Sequence, residues 1–331
     1  MAGKIRIGVL MGGTSAEREI SLKSGKAVLR ALRSCGQDAL AIDIKKTDKN
    51  YVTDLLLSYD IGLAFLALHG SFGEDGKIQA ILDQMRIPYT GSGAFASSLS
   101  MDKLSSRRIF RAAGLAVPRY FVLNRKERRI DSSFAFPLVV KPAACGSSIG
   151  LSVIDNPEEF RDAIRLAFKY DSCVLVEEYI KGREMTVGIF KDSPLEAIEI
   201  RSRRRFFDYK AKYEQGQTDY IVPAPVPLKT MQLLKDTALK AHTLLGCFFF
   251  SRVDIILNNK NIPYVLEVNT IPGFTATSLL PRAALHKGIP FQELVLVIAQ
   301  AAQDRFLKKS EGLHSLCDRR RALSLTDYLM R

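Results

Sequence analysis

Long apolar runs are what this 331-residue chain most plainly lacks. A membrane-spanning helix needs roughly 18 or more uncharged residues, and even Ile61 to Leu68 is only of strand length. The first eleven residues carry Lys4 and Arg6 but run straight into a strand and a glycine loop, with neither the apolar core nor the cleavage site of a signal peptide. A cytoplasmic protein with no membrane partner is therefore expected. Cysteine is sparse: Cys35, Cys145, Cys173, Cys247 and Cys317 are odd in number, far apart and without metal-ligand spacing. Reduced thiols follow, and a disulfide framework is excluded. Acidic residues are also in deficit, 35 against 48 Lys and Arg, for a formal charge of +13. The basic clusters at Arg201 to Arg205, Arg125 to Arg129 and Arg319 to Arg321 are unaccompanied by any helix-turn-helix, zinc or aromatic-interleaved motif, so no nucleic-acid partner is expected. Attraction of small polyanions is compatible with the same charge.

What is present is a globular composition, 47% hydrophobic and 25% charged, in a chain long enough for two or three domains. The first third alternates strand-like runs (Ile5 to Met11, Asp38 to Ile42, Ile61 to Leu68) with amphipathic stretches, including a helix expected from about Ser15 to Cys35. That alternation predicts a parallel sheet covered by helices. Gly12-Gly13-Thr14-Ser15 links the first strand to this helix, either as an anion site at the helix N-terminus or as a tight turn without a ligand. Gly91 to Ala96 mimics a dinucleotide fingerprint after a short strand at Ile87 to Thr90, but comes late in the domain and without the acidic residue about twenty positions on. A hinge or domain junction suits it better.

Pro137 to Pro142 reads as a strand carrying Lys141, followed by the small-residue loop Ala143 to Gly150. Such a loop either closes backbone amides over a phosphate beside the lysine or is an ordinary surface loop. It is not a Walker A loop, because Lys141 precedes the glycines and no G-K-[ST] follows. Val174 to Ile180 is a strand running into a short linker, and Gly182-Arg183-Glu184 enters the strand Met185 to Phe190. Periodicity fails from Arg201 to Pro227, a length that suggests a lid. A helix is expected at Leu228 to Leu245 and a last amphipathic one at Phe291 to Phe306.

The sharpest signal is Leu266-Glu267-Val268-Asn269-Thr270-Ile271-Pro272-Gly273. On a strand, residues two apart share a face, so Glu267 and Asn269 present hard oxygen donors side by side. Upstream, Arg252 and Asp254 share a face of another β-branched run. Two strands thus offer three oxygen ligands for a divalent cation and one arginine, a pattern suited to holding nucleotide phosphates.

Together the segments resemble the D-alanine:D-alanine ligase family of ATP-grasp enzymes. The resemblance runs to about residue 308 and rests on Gly12 to Glu19, Ala67-Leu68-His69-Gly70 with Gly73-Glu74-Asp75-Gly76, Tyr89 to Gly93, and Ser100-Met101-Asp102-Lys103-Leu104. It continues through Val140-Lys141-Pro142, Asp208 to Tyr213 and Glu267 to Gly273. It implies an α/β ATP-grasp fold of three domains: an N-terminal parallel α/β domain (1–100), a small central α+β domain (101–184), and a C-terminal α+β domain (185–309) with a lid at about 203–225. A basic tail, 310–331, has no counterpart. The implied chemistry is ATP-dependent. ATP phosphorylates the carboxylate of one D-alanine, the amine of a second attacks the acyl phosphate, and the tetrahedral intermediate collapses to dipeptide and phosphate.

By motif, the resemblance implies that Glu17 holds the ammonium of the first D-alanine near His69, linked to Ser147 and Tyr213. Lys103 and Lys141 contact phosphates, Glu177 and Glu184 take adenine- and ribose-binding positions, and the backbone of Tyr179 and Ile180 edges the purine. Asp254, Glu267 and Asn269 ligate two Mg²⁺, or Mn²⁺, ions. Arg252 and the Gly273 amide stabilise the oxyanion, each worth roughly 3 kcal/mol. Ser278, Leu279 and Lys212 place the second substrate. The tyrosine at 213 goes with D-alanine rather than D-lactate in that position; D-lactate or D-serine use and a silent ATP-binding relative are the alternatives. A homodimer is implied. The chain departs from the family at Cys145, where an acid is common, and at Glu178, where a lysine often stands.

Overall fold

The computed structural model describes residues 5–125, 129–146, 148–202 and 218–308. It contains three sheets. The first is parallel, in the order β2-β1-β3, from β1 (Ile7–Gly12), β2 (Ala39–Ile44) and β3 (Leu63–Leu66). Every residue of β1 is buried, as expected of a central strand covered on both faces. Helix α1 (Arg18–Ser34) packs on it through Ser24, Gly25, Val28 and Leu32. Gly25 is required by that approach, since a Cβ there would lie 2.6 Å from the Met11 Cβ. Helix α1 starts three residues later than expected, because Ser15 instead turns its hydroxyl onto the His69 carbonyl at 2.8 Å. Helices α2 (Lys49–Tyr59), α3 (Lys77–Met85) and α4 (Ala94–Met101) complete this region. The strand expected at Ile87 to Thr90 is a single bridge, Tyr89 on Ala64, because Gly91 (φ +82°) turns the chain away at once.

Helix α5 (Lys103–Ala112) is capped by the Asp102 carboxylate, which accepts from the amides of Leu104 (2.9 Å) and Ser105 (3.3 Å). The second sheet is antiparallel, β4-β7-β5-β6, from β4 (Tyr120–Asn124), β5 (Leu138–Pro142), β6 (Ser152–Ile154) and β7 (Cys173–Glu178). One face is covered by α6 (Phe160–Ala167), which buries Phe160 and Ile164 against Leu138, Val140 and Val176.

The third sheet follows the order β11-β10-β8-β12-β13. Its strands are β8 (Gly182–Phe190), with the short β9 (Ser193–Pro194) alongside, β10 (Ile198–Ser202), β11 (Thr218–Ile221), β12 (Phe250–Asn258) and β13 (Pro263–Asn269). One face is packed by α7 (Leu228–Leu244). Phe110 of α5 is buried in this same core, so that helix belongs by packing to the third sheet although it precedes the second in sequence. Strand β11 occupies 218–221 of the stretch read as a lid, pairing with β10; residues 203–217 lie outside the described residues. Helices α8 (Leu279–His286) and α9 (residues 291–308) return to the first sheet.

The first and third sheets share one core. The fully buried Phe274 sets its ring edge-on to both Phe65 and Phe250, each at 5.5 Å between centroids. Burying a phenylalanine contributes roughly 1.5–3 kcal/mol. That packing fastens the loop after β13, and with it Gly273, against the first sheet.

Candidate active site

Strands β12 and β13 build the centre of the site. In their register Arg252 faces Asn269 and Asp254 faces Glu267, so all four polar residues lie together on the face opposite α7. The pairing slips between Asp254 and Ile255, leaving Leu266 as the extra residue of a β-bulge. Bulges re-aim side chains beside active sites. Here Leu266 and Glu267 both remain half-buried instead of alternating.

Each polar group is held. Arg252 grips Asp254 with two parallel hydrogen bonds, Nε to Oδ1 at 2.9 Å and Nη2 to Oδ2 at 2.7 Å, while the Thr186 hydroxyl donates to Oδ1 at 2.7 Å. Glu267 Oε2 meets Lys103 Nζ at 3.1 Å. Asn269 Oδ1 accepts from the Ile271 amide at 2.9 Å, which orients the carboxamide. Among the described residues no three of His, Cys, Asp or Glu stand together as ready metal ligands. The site offers two carboxylates and one carboxamide, a hard-oxygen set that suits Mg²⁺ shared with phosphates. The two carboxylates are balanced by Arg252 and Lys103, so the donor chemistry fits a divalent ion.

Lys103, the first residue of α5, also donates to the Cys145 carbonyl at 2.7 Å. The loop after β5 is therefore engaged through its backbone at the very position where the side chain departs from the family. An acid still anchors this loop: Asp171, just before β7, accepts from the Ala144 amide at 2.9 Å. The Cys145 thiol, directed at the Tyr170 carbonyl, is pushed up by burial and by Asp171.

Between the second and third sheets lies a narrow cavity of about 200 Å³, floored by Ile256 and Leu266 and edged by Tyr179, Ile180 and Glu184. Lys141 and Glu177 face it from β5 and β7. Glu177, expected at an adenine-binding position, stands between two cations. Its oxygens lie 3.0 Å from Lys141 Nζ and 2.9 Å from Arg107 Nη1. Burial, set against the attraction of Glu177, brings the Lys141 ammonium down to about 8. Glu178 is tied to the backbone instead, its carboxylate accepting from the Arg119 amide at 2.9 Å.

Between the first and third sheets opens a larger cavity of about 1190 Å³. Glu17, His69, Arg252, Gly273, Ser278 and Leu279 all line it. His69 is buried, with Nε2 3.0 Å from the Ser24 hydroxyl and Nδ1 3.5 Å from Glu74. Ser24 Oγ accepts from the Phe274 amide at 3.3 Å, so one hydroxyl ties the histidine to the Gly273 loop. Gly146 passes so close that a Cβ there would stand 3.4 Å from Glu17 Oε2. Gly273 carries no acceptor on its amide among the described residues. A Cβ on it would come within 3.0 Å of Ser278 Oγ, which itself bonds Thr275.

Of the expected site residues, Ser147, Lys212 and Tyr213 lie outside the described residues. Sequence reading missed Arg107, Ser24 and Thr186. Ser24 and Thr186 carry no motif, but Arg107 lies four residues beyond Lys103 on one helix face, a spacing that was available. Lys103 and Glu267 border both cavities, so a single ion pair stands where they meet.

A narrow cleft between two antiparallel sheets, with Lys103 and Lys141 on one wall and the carboxylates of Asp254 and Glu267 on the other, is the arrangement of an ATP-grasp enzyme. The family model described as D-ala D-ala ligase C-terminus matches residues 109–300, and that for the D-ala D-ala ligase N-terminus matches 6–60 and 52–92. The chain is 45% identical over 313 residues to the D-alanine--D-alanine ligase of Geobacter sulfurreducens, covering 94% of this chain and 97% of that one. It is 46% identical over 300 residues to the enzyme of that name from Trichlorobacter lovleyi, covering 90% and 95%. The crystal structure of D-alanine--D-alanine ligase from Bacillus anthracis complexed with ATP superposes with a TM-score of 0.81 at 32% identity, over 92% of this chain and 99% of that one. The chain belongs to the D-alanine:D-alanine ligase family.

Proposed function

We propose that the chain joins two D-alanines into D-alanyl-D-alanine for peptidoglycan precursor synthesis, using ATP and releasing ADP and phosphate. The observation that carries the reading is the junction of the two cavities. Lys103 and Glu267 border both, so a carboxylate in the larger cavity and a terminal phosphate in the narrow one would meet at that pair.

In this reading Glu17 takes the ammonium of the first D-alanine, with His69 beside it. The carboxylate oxygen of that D-alanine attacks the terminal phosphorus of ATP, and the bond to ADP breaks. Lys103 and Lys141 hold the phosphates through that transfer, and Glu184, Tyr179 and Ile180 hold the nucleoside. The amine of the second D-alanine, placed by Ser278 and Leu279, then attacks the acyl carbonyl. Arg252 and the Gly273 amide meet the charge that builds on the carbonyl oxygen, and phosphate leaves as the tetrahedral carbon collapses. Preorganised donors of this kind are each worth roughly 3 kcal/mol. Asp254, Glu267 and Asn269 would hold Mg²⁺ or Mn²⁺, two ions in all, which when bound neutralise phosphate charge. Ser147, Lys212 and Tyr213 are assigned by motif to the cover of the substrates. Among the described residues no helix is long and apolar enough to cross a membrane. A cytoplasmic homodimer is part of the proposal.

Phosphate release from ATP, with D-alanine, D-serine or D-lactate offered singly and in pairs, tests the reading. D-alanine alone is expected to stimulate release and yield dipeptide. Greater use of D-lactate than of D-alanine at neutral pH overturns the choice of second substrate, and no stimulation by any of them overturns the ligase assignment.

A further inference from the structure

Arg107 has no task in the mechanism above, yet it is a wholly buried arginine beside the nucleotide cleft. An arginine in that position costs desolvation, and an apolar side chain of similar size often serves stability as well or better. Its contacts indicate another use. Nη1 lies 2.9 Å from Glu177 Oε1, on β7 of the second sheet, and Nη2 donates to the Leu266 carbonyl at 3.3 Å, on β13 of the third. The guanidinium thus spans the two walls of the cleft with one rigid fork.

Both contacts are one step from phosphate chemistry. The other oxygen of Glu177 holds Lys141 at 3.0 Å. Leu266 is the bulged residue next to Glu267, so the carbonyl that Arg107 fixes belongs to the bulge that aims Glu267. Four residues back on the same face of α5, Lys103 pairs with that same Glu267 at 3.1 Å. Tyr120, the cross-strand neighbour of Glu177, lays its ring 5.9 Å from the guanidinium and closes the remaining side. Resting on the proposed ligase activity, we propose that Arg107 is a positioning residue that sets Lys141 and Glu267 at a fixed separation across the nucleotide cleft.

The proposal is tested on the full-length enzyme by steady-state kinetics of Arg107→Met and Arg107→Lys, with ATP and D-alanine varied separately, and by direct nucleotide titration without D-alanine. Arg107→Met is expected to raise KM for ATP at least tenfold and to weaken nucleotide binding alike, with KM for D-alanine changed less than twofold. Arg107→Lys keeps the charge but cannot reach both walls with one ammonium, so a rise of several-fold is expected. A role in fold stability alone would not move the pH profile, whereas Lys141 faces Glu177, Arg107 and Lys103 and would sense the lost cation. The alkaline limb of kcat/KM for ATP should shift to higher pH in Arg107→Met and stay in place in Arg107→Lys. If Arg107→Met fails to fold, Arg107→Lys decides: wild-type KM for ATP in that variant overturns the proposal, as it does in Arg107→Met. Proportional loss for ATP and D-alanine with no shift in the pH limb also overturns it. Loss of D-alanine-dependent phosphate release in the wild type would strike the ligase reading, and the nucleotide titration would still test Arg107.

Discussion

The two cavities that meet at Lys103 and Glu267 are built by different means. The nucleotide cleft is narrow and strand-walled, and its polar groups are fixed by buried charge: Lys141, Glu177 and Arg107 form one connected set. The amino-acid cavity is about six times larger, from 1190 against 200 Å³. Its walls are mixed, helix α1 on one side and strands β11, β12 and β13 on the other, joined by the loop after β13 through neutral hydroxyl and amide bonds such as Ser24 to His69 and to Phe274. A polyphosphate needs strong, immobile charge of one sign, which strands supply. A small zwitterion needs one acid, one set of donors and a way in. Buried ion pairs are concentrated beside the narrow cavity, and neutral hydrogen bonds around the larger one.

That contrast can be broken at several points. The largest effect is expected at the junction: Glu267→Gln should keep the fold, by circular dichroism, yet lower kcat by roughly 10³-fold or more, because the proposed function makes that carboxylate a hard-oxygen ligand of the metal at the phosphates. Near-normal turnover would remove Glu267 from the metal site. On the nucleotide side, Lys141 is charged below about 8 and loses its proton above it. KM for ATP should therefore rise with pH beyond that point, by up to about tenfold per unit, and Lys141→Arg should flatten the rise; a flat wild-type profile up to pH 9.5 contradicts it. On the amino-acid side, Ser24→Ala removes one bond to His69 and one to the Phe274 amide. At about 1 kcal/mol each, KM for D-alanine should increase roughly five- to thirtyfold, with KM for ATP unmoved. Equal effects on both constants would erase the distinction between the cavities.

The smallest expected effect lies outside both. Glu199 is held by Arg183 at 2.7 Å and Arg201 at 2.9 Å, and these partners, Arg183 first, keep its carboxyl below the usual range. A depressed carboxylate contributes stability that is full above its ordinary pKa and is lost as pH falls through the depressed one. Glu199→Gln should lower Tm by roughly 2–4 °C at neutral pH, and the gap from wild type should close on acidification.

Much of this was legible in the chain. The alternation of apolar runs announced the parallel first sheet, because a central strand with two covered faces must read as continuous hydrophobicity. Glu267 and Asn269 were legible because strand periodicity is exact over two residues. The Leu266 bulge was not, since nothing in an apolar run marks where a register slips. Position 177 was expected to face adenine; what its carboxylate touches depends on Arg107, seventy residues away in sequence and brought near only by packing. The membership of helix α5 in the third core is fixed by Phe110, whose side is decided by tertiary packing and not by its spacing. The boundary between sheets is likewise written in contacts rather than composition.

The ion pair between Lys103 and Glu267 has a practical corollary for inhibitor chemistry. Among the described residues a salt bridge 3.1 Å across stands where the two voids meet, and the proposed function assigns them very different molecules. A compound designed to span them needs no long linker, but it must carry an anionic centre for the lysine while tolerating the glutamate. A neutral bridge that parts the pair would leave each charge without its counter-ion, at a cost in affinity.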